Sequence, residues 1–196
     1  MIEFKNISKS YNDLVVFDKL NIKFEEGKCY LLTGISGIGK TTLLRLILGL
    51  EKADSGEIIF SDEIKNSDEG VGVVFQEDRL LEDFSSIENV MLTKANAKKE
   101  DAINELKKLL DESLINKPVK KLSGGQKRRV SIVRALAFSR DFYILDEPFN
   151  GLDEGNKDKV ISYIKEKQKD KLIIIASHDS KGLCFADEIS LDDYPI

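Results

Sequence analysis

The first quarter of the chain alternates apolar with polar residues, a period typical of strands that are buried on one face. The alternation runs over residues 2–7 and 14–24, so that Ile22 and Phe24 share one face of a strand with a polar residue between them. Residues 29–33 are apolar almost throughout, which favours a strand covered on both faces. We therefore expect two half-buried strands near the N-terminus, followed by a buried one.

Beyond residue 34 the pattern switches between helix-like and strand-like segments. Apolar positions at helical spacing predict helices over about 40–48, from Ser86, and over 98–110, 124–138 and 156–168. Short apolar runs predict strands near 56–60, 71–75, 142–145, 172–176 and 188–191. Strands that alternate with helices predict an α/β fold with a mainly parallel sheet. Residues from about 77 to 140 are mostly helical, and we expect them to form a helical subdomain inserted in a single domain of residues 1–196.

Composition narrows the class of protein. The 196 residues are 41 % hydrophobic and 33 % charged, a balance typical of a soluble globular chain and not of a disordered or fibrous one. No apolar run reaches the roughly 18 residues of a membrane span, and the N-terminus lacks the pattern of a signal peptide. We expect a chain that does not span a membrane and works at one only through another subunit.

The charge balance and the cysteine count argue against nucleic-acid-binding, disulfide-rich and zinc-binding proteins. With 30 basic and 35 acidic residues, the net charge is −5, and we expect no nucleic-acid partner because such proteins more often carry a basic excess. Two cysteines, Cys29 and Cys184, are too few for a disulfide framework or a four-cysteine zinc site. We expect both to be reduced core thiols.

Residues 34–41 read Gly-Ile-Ser-Gly-Ile-Gly-Lys-Thr, the spacing of a phosphate-binding loop between a strand and a helix. Glycines allow backbone N–H groups to turn toward phosphate oxygens, and the helix start adds its partial positive charge. Lys40 is predicted to reach the β- and γ-phosphates, and Thr41 to bind Mg²⁺. The alternative is an ordinary glycine turn, and the strand-loop-helix context argues against it.

Two carboxylates, Asp146 and Glu147, follow the apolar run at 142–145. Ligands of parallel sheets bind at the carboxyl ends of the strands, so we expect both acids at the ligand-binding edge. Asp146 is then positioned to hold Mg²⁺, directly or through water, and Glu147 to orient or deprotonate an attacking water. Without the phosphate loop, a strand that runs into an acidic loop would be the better interpretation.

A second candidate anion-binding helix start lies at Leu122–Gln126, where Ser-Gly-Gly opens an arginine-rich helix. One triphosphate in one chain has little use for two such sites. A second subunit offers a solution, in which each copy brings Ser123 and Gly125 to the nucleotide that the other copy holds. Taken alone, the motif would be interpreted as a helix capped by Ser123.

In this order the motifs resemble the nucleotide-binding subunit of an ATP-binding-cassette (ABC) protein, in the small-molecule importer branch, over nearly the whole chain. Residues 34–41 resemble the Walker A loop, Leu122–Gln126 match the family signature, and Asp146-Glu147 resemble Walker B with its catalytic glutamate. The resemblance implies a P-loop NTPase core, an antiparallel β subdomain near the N-terminus and an inserted helical subdomain.

Shorter matches complete the resemblance. Gln76 is similar to the glutamine of the Q-loop, residues 151–153 to the D-loop, His178 to the switch histidine and Tyr11 to the aromatic residue that stacks on adenine. Read alone, His178 and Tyr11 would be structural or surface residues. Two positions depart from the family pattern: Gly151 stands where alanine is usual, and Arg128 where glutamine is frequent.

The resemblance implies a role for each matched residue. Those expected to contact ATP are Tyr11, Gly34, Ser36, Gly37, Gly39, Lys40, Thr41 and Thr42 and, from the partner subunit, the signature positions Ser123, Gly125 and Gln126. Those expected to serve Mg²⁺ are Thr41, Gln76 and Asp146, and those expected to act on the attacking water and the γ-phosphate are Glu147, His178 and Gln76.

The function that the resemblance implies is that of an ATPase subunit of a membrane transporter. Such a subunit pairs head to tail when it binds ATP, lies peripherally on the cytoplasmic face of the cell membrane and drives separate permease subunits. The alternative is a soluble, non-transport ABC ATPase such as an iron–sulfur assembly factor. A nucleotide-binding regulator without hydrolysis is a third possibility, against which Glu147 and His178 argue.

Overall fold

The computed structural model describes residues 1–194. Its strands are β1 (Ile2–Tyr11), β2 (Leu14–Phe24), β3 (Cys29–Thr33), β4 (Ser55–Phe60), β5 (Val71–Val74), β6 (Phe142–Asp146), β7 (Leu172–Ala176) and β8 (Asp187–Ser190). Its helices are α1 (Lys40–Ile47), α2 (Asp62–Lys65), α3 (Ser86–Met91), α4 (Lys99–Leu109), α5 (Glu112–Ile115), α6 (Gly124–Leu136) and α7 (Glu154–Gln168), with 3₁₀ turns at Val119–Lys121 and Leu191–Asp193.

The first sheet is antiparallel, in the order β2–β1–β4. Its inner face carries Ile2, Phe4, Ile22 and Phe24, all buried, because alternate side chains of a strand point to the same side. This face packs with α1 and with the parallel sheet in one apolar cluster. The antiparallel sheet therefore lies directly against the helix that follows the phosphate loop.

The second sheet is parallel, in the order β5–β6–β7–β3–β8. β6 and β7 are buried along their whole length, and β3 nearly so, as expected of strands covered on both faces. The carboxyl ends of parallel strands meet at one edge of a sheet. That edge carries the phosphate loop after β3, Asp146 at the end of β6 and His178 just after β7.

The segment between β5 and β6 is helical. At its start, the Ser85 hydroxyl accepts the N–H of Glu88, and the Glu88 carboxylate accepts the N–H of Ser85, a reciprocal cap that fixes where α3 begins. The apolar faces of α3, α4 and α6 share one buried cluster with α7 and with the parallel sheet. The boundary of a separate helical subdomain at about 77–140 stays a prediction.

A few features differ from the expectations. The pattern missed α2 and α5, because a four-residue helix is too short to show a period. Cys29 is buried, but Cys184 is exposed, so the expectation of a core thiol is wrong for Cys184, which lies in the turn between β7 and β8. None of the helices within residues 1–194 combines the length and apolar character needed to cross a membrane.

Candidate active site

Glycines set the course of the loop between β3 and α1. Gly37 and Gly39 have φ values of 86° and 111°, which residues with side chains rarely adopt. A Cβ atom at Gly39 would lie 2.6 Å from the Val16 side chain of β2, so close packing against the antiparallel sheet also requires glycine there. The loop leads into the first turn of α1, whose N–H groups lack partners inside the helix and are available to an anion.

Lys40 and Thr41 open α1 at this edge of the parallel sheet. Lys40 is 7 % exposed, and its Nζ donates to the carbonyl oxygens of Gly34 at 2.7 Å and Ile35 at 3.3 Å. The Thr41 hydroxyl donates to Oδ2 of Asp146 at 3.1 Å. The ammonium is thus held against the loop, and the hydroxyl and the carboxylate can share one ligand.

Asp146 and Glu147 lie where β6 ends. Burial raises the pKa of the Asp146 carboxyl, although the hydrogen bond from Thr41 opposes the shift. Burial also raises the pKa of Glu147, with an opposing effect from His178, whose Nε2 lies 3.4 Å from Oε1 of Glu147. Glu147 has a φ of 49°, a left-handed conformation that costs ~1–3 kcal/mol for a residue other than glycine. A buried carboxyl with a raised pKa, on a residue with a strained backbone, is typical of functional sites.

One cleft unites most of the predicted site. Its lining consists of Ser36, Gly37, Gly39, Lys40, Thr41, Thr42, Gln76, Asp146, Glu147 and His178. They come from the phosphate loop, the start of α1, the segment after β5 and the ends of β6 and β7. Backbone N–H groups, an ammonium, a hydroxyl, two carboxylates and an imidazole therefore converge on one opening.

Two predicted nucleotide contacts lie outside this lining. Gly34 offers its carbonyl oxygen to Lys40. Tyr11, at the end of β1, donates its hydroxyl to Glu51 at 3.0 Å, and the Lys9 ammonium lies 4.8 Å from the centroid of its ring. One face of the ring is therefore covered by a cation, and the stacking of adenine on Tyr11 stays a prediction.

The signature residues also lie outside the lining, at the start of α6. Oγ of Ser123 accepts the N–H of Gln126 at 3.4 Å, and Oε1 of Gln126 accepts the N–H of Ser123 at 3.0 Å, so each caps the other. A Cβ atom at Gly125 would lie 2.9 Å from the carbonyl oxygen of Gly151. This helix start packs closely on the loop after β6 and does not join the cleft of its own chain.

Comparison with known proteins identifies the fold as a cassette. The family described as ABC transporter matches residues 17–150, which is more than half of the chain. The chain belongs to the ABC transporter family. As a member of that family it is an ATP-binding and ATP-hydrolysing subunit, and the predicted family, fold class and ATPase activity are confirmed.

Curated relatives of this ABC subunit align over most of its length. It is 39 % identical over 194 residues to the lipoprotein-releasing system ATP-binding protein LolD of Treponema denticola, an alignment that covers 89 % of this chain and 85 % of LolD. It is 34 % identical to the ergothioneine transport ATP-binding protein EgtV of Helicobacter pylori, covering 92 % and 91 % of the two chains. It is 33 % identical to the maltose/maltodextrin import protein MalK of Escherichia coli, covering 98 % of this chain and 55 % of MalK.

A solved ABC cassette has the same fold. The dimeric, post-hydrolysis structure of MJ0796 bound to ADP and Pi superposes with a TM-score of 0.85 at 28 % identity, over 97 % of this chain and 94 % of the other. The relatives named here include import and release systems, so the comparisons do not single out the importer branch.

Two buried basic residues of this ABC subunit were not expected from the sequence, Arg128 and Lys157. Arg128, expected only as a departure from the family pattern, is 3 % exposed and donates to the backbone carbonyls of Phe75, after β5, and of Asp146, at the end of β6. Lys157 of α7 is 5 % exposed and forms an ion pair with Asp179, next to His178. The departure from the family pattern is the sequence signal for Arg128, and the sequence gives no signal for Lys157.

The donor set fits the predicted Mg²⁺. A hydroxyl, one carboxylate and an amide are hard oxygen ligands, and Mg²⁺ commonly takes one or two carboxylates and completes its shell with phosphate oxygens and water. The part of the chain that the structure describes holds no cluster of three or more acidic, histidine or cysteine side chains able to enclose a metal. The hydroxyl, carboxylate and amide of the cleft therefore fit Mg²⁺ bound together with the phosphates of a nucleotide.

The strained carboxylate predicts a pH-dependent stability. Since the pKa of Glu147 is higher in the folded protein than its ordinary value of 4.5, its ionisation opposes folding, and this loss of stability grows as the pH rises from 4.5 through the raised pKa. We expect Glu147→Gln to unfold at a higher temperature than the wild type at pH 7.5, and the difference to shrink near pH 4. Thermal unfolding followed by circular dichroism measures this. Glu57→Gln, at an exposed position of β4, is the matched control, and an equal gain in unfolding temperature for both variants would contradict this prediction.

Proposed function

We propose that this ABC ATPase energises a membrane transporter through ATP-driven, head-to-tail pairing of two subunits. The observation that carries the proposal is the separation of two phosphate-binding features in one chain. The cleft gathers Lys40, Thr41, Asp146, Glu147 and His178, while the helix start at Ser123 lies elsewhere. Each subunit could thus bind one ATP in its cleft and contact the ATP of its partner with the helix start at Ser123.

The chemistry at the cleft follows from the types of its groups. The N–H groups of residues 37–42 and the Lys40 ammonium bind the phosphates. Thr41, Asp146 and Gln76 would hold Mg²⁺, which supplies charge neutralisation at the phosphates when bound. Glu147 accepts a proton from the attacking water, for which its raised pKa makes it a better base than an ordinary carboxylate. His178, next to Glu147, contacts the γ-phosphate.

The partner subunit completes the site. The first N–H groups of α6 are free to meet an anion, and this end of the helix carries its partial positive charge. Ser123 and Gly125 of one copy would therefore face the γ-phosphate held by the other, with Gln126 keeping Ser123 in place through the reciprocal cap. The dimeric MJ0796 neighbour supports such a pair.

A surface groove beside the cleft is suited to the membrane partner. It runs between α1 and the segment after β5 and is lined in part by Leu44, Leu48, Phe75 and Gln76. Leu50 on its lining is 59 % exposed. A groove of mixed polar and apolar lining that shares Gln76 with the cleft would pass the closure of the ATP pair to a permease subunit, and would place the ATPase on the cytoplasmic face of the membrane.

Lys40→Ala tests the proposed nucleotide site. The substitution removes the ammonium that binds the β- and γ-phosphates, so we expect ATP affinity to fall about tenfold or more and hydrolysis to fall with it. Isothermal calorimetry and a phosphate-release assay measure the two effects. Lys99→Ala, at the exposed start of α4, should match the wild type. Unchanged affinity in Lys40→Ala would show that the loop does not bind phosphate.

A further inference from the structure

The guanidinium of Arg128 joins three parts of the molecule that the proposed reaction uses. Arg128 lies on α6, five residues after Ser123, and is 3 % exposed. Its side chain reaches the end of β6 on one side and the segment after β5 on the other. The helix that starts at the signature is thereby bonded to the backbone of both neighbours.

On the β6 side, Arg128 holds the backbone around the catalytic carboxylate. Nη2 donates to the carbonyl oxygens of Asp146 at 2.8 Å and Glu147 at 2.5 Å, and Nε donates to that of Pro148 at 3.3 Å. These carbonyls flank the residue with the left-handed backbone conformation, Glu147. Strained conformations persist only where the surroundings over-determine them, and three charge-assisted hydrogen bonds do so here.

On the other side, Arg128 holds the segment that carries Gln76. Nη1 donates to the carbonyl oxygens of Phe75 at 2.7 Å and Gln76 at 3.4 Å, and to Oδ1 of Asp78 at 3.0 Å. Since the planar guanidinium fixes the angles between its donors, a shift of α6 moves both backbone segments together. No other residue type offers five donors in this rigid fork.

We propose that Arg128 is a positioning residue that couples the signature helix to Glu147 and Gln76. This role rests on the proposed trans arrangement. ATP bound by the partner subunit displaces the start of α6, and the hydrogen bonds of Arg128 transmit this displacement to the groups that act on this subunit's own ATP. The catalytic carboxylate is held in working geometry only while α6 is in place.

Substitution of Arg128 tests the coupling through kcat and not through ATP binding. Arg128→Met removes every donor at nearly equal length, and because misplacing a catalytic group can cost about 10²-fold, we expect kcat to fall by that order while the calorimetric Kd for ATP stays within about twofold. Arg128→Lys keeps the charge, but its single nitrogen cannot bond to both segments, and kcat should fall about tenfold. This second variant decides the question if Arg128→Met fails to fold.

Arg134→Met is the matched control. Arg134 lies on the same helix and donates to the carbonyl oxygens of Asp78 and Arg79 at 2.9 and 2.7 Å, but the structure shows no bond from it to Asp146, Glu147 or Pro148. We expect kcat of Arg134→Met to stay within about threefold of the wild type, with any loss of thermal stability similar to that of Arg128→Lys.

A double-mutant cycle separates positioning from a general loss of structure. If Arg128 acts through Glu147, adding Arg128→Met to Glu147→Gln should change the single-turnover rate by less than about threefold, because the carboxylate is already gone. Folded Arg128 variants with wild-type kcat, or an undiminished further loss in the Glu147→Gln background, would overturn the inference. Absence of hydrolysis in the wild-type protein would contradict the proposed function instead.

Discussion

Glu147→Gln is expected to lower ATP turnover by about 10²-fold or more, the size of loss expected when a general base is removed, while ATP binding persists. The substitution keeps the size of the side chain and leaves the phosphate contacts of Lys40 and the loop in place. Removing the carboxylate, whose pKa is raised by burial, takes away the group that we propose accepts the proton of water. Steady-state phosphate release and calorimetric ATP binding measure the two quantities.

The control for this variant is Glu57→Gln, which changes an exposed carboxylate on β4 and should leave turnover unaltered. Turnover of Glu147→Gln within threefold of the wild type would show that another group acts as the base. Loss of ATP binding would show that Glu147 helps to hold the nucleotide.

ATP is expected to convert the Glu147→Gln protein from a monomer into a dimer. The chain carries a net charge of −5, so two copies repel weakly, and a stable dimer is not expected without nucleotide. ATP adds phosphate oxygens that the N–H groups at the start of the partner's α6 can meet, whereas ADP lacks the γ-phosphate that reaches them. Multi-angle light scattering should show a monomer without nucleotide or with ADP and a dimer with ATP.

Ser123→Arg in the same background should abolish the ATP dimer. A bulky side chain in the proposed interface is expected to weaken pairing by ~10²-fold or more, while ATP binding by the monomer stays nearly intact because Ser123 lies outside the cleft of its own chain. Ser162→Arg, at an exposed position of α7, adds the same cation elsewhere and should leave the dimer unchanged. Dimerisation of the Ser123→Arg protein would mean that the signature does not act in trans.

Much of this arrangement could be predicted from local pattern. The run from residue 29 to 33, the glycine loop and the apolar strand before Asp146 each have a signal within a few neighbouring residues. The rule that parallel strands present their carboxyl ends at one edge of the sheet also predicts that Lys40, Thr41, Asp146 and Glu147 lie close together. Residues whose structure depends on the positions next to them in the sequence could therefore be predicted.

What the sequence did not predict depends on partners far along the chain. The hydrogen bonds of Arg128 end on backbone carbonyls at positions 75–76 and 146–148, and a carbonyl oxygen is present at every residue, so no residue type marks them. The left-handed φ of Glu147 is equally hidden, because glutamate has no preference for it. The ion pair of Lys157 with Asp179 depends on how α7 packs beside β7, which no local period encodes.

Because Ser123 both caps α6 and is proposed to contact the partner's nucleotide, selection for folding and selection for ATPase activity would favour different residues at position 123. A serine hydroxyl can accept the Gln126 N–H and still donate its own proton elsewhere. Aspartate caps helices about as well, so a library screened only for folded protein would retain it. The same library screened for growth that depends on the ATPase would discard aspartate, since its charge would oppose a triphosphate. Comparing the survivors of the two screens would separate what this residue does for its own chain from what it does for another.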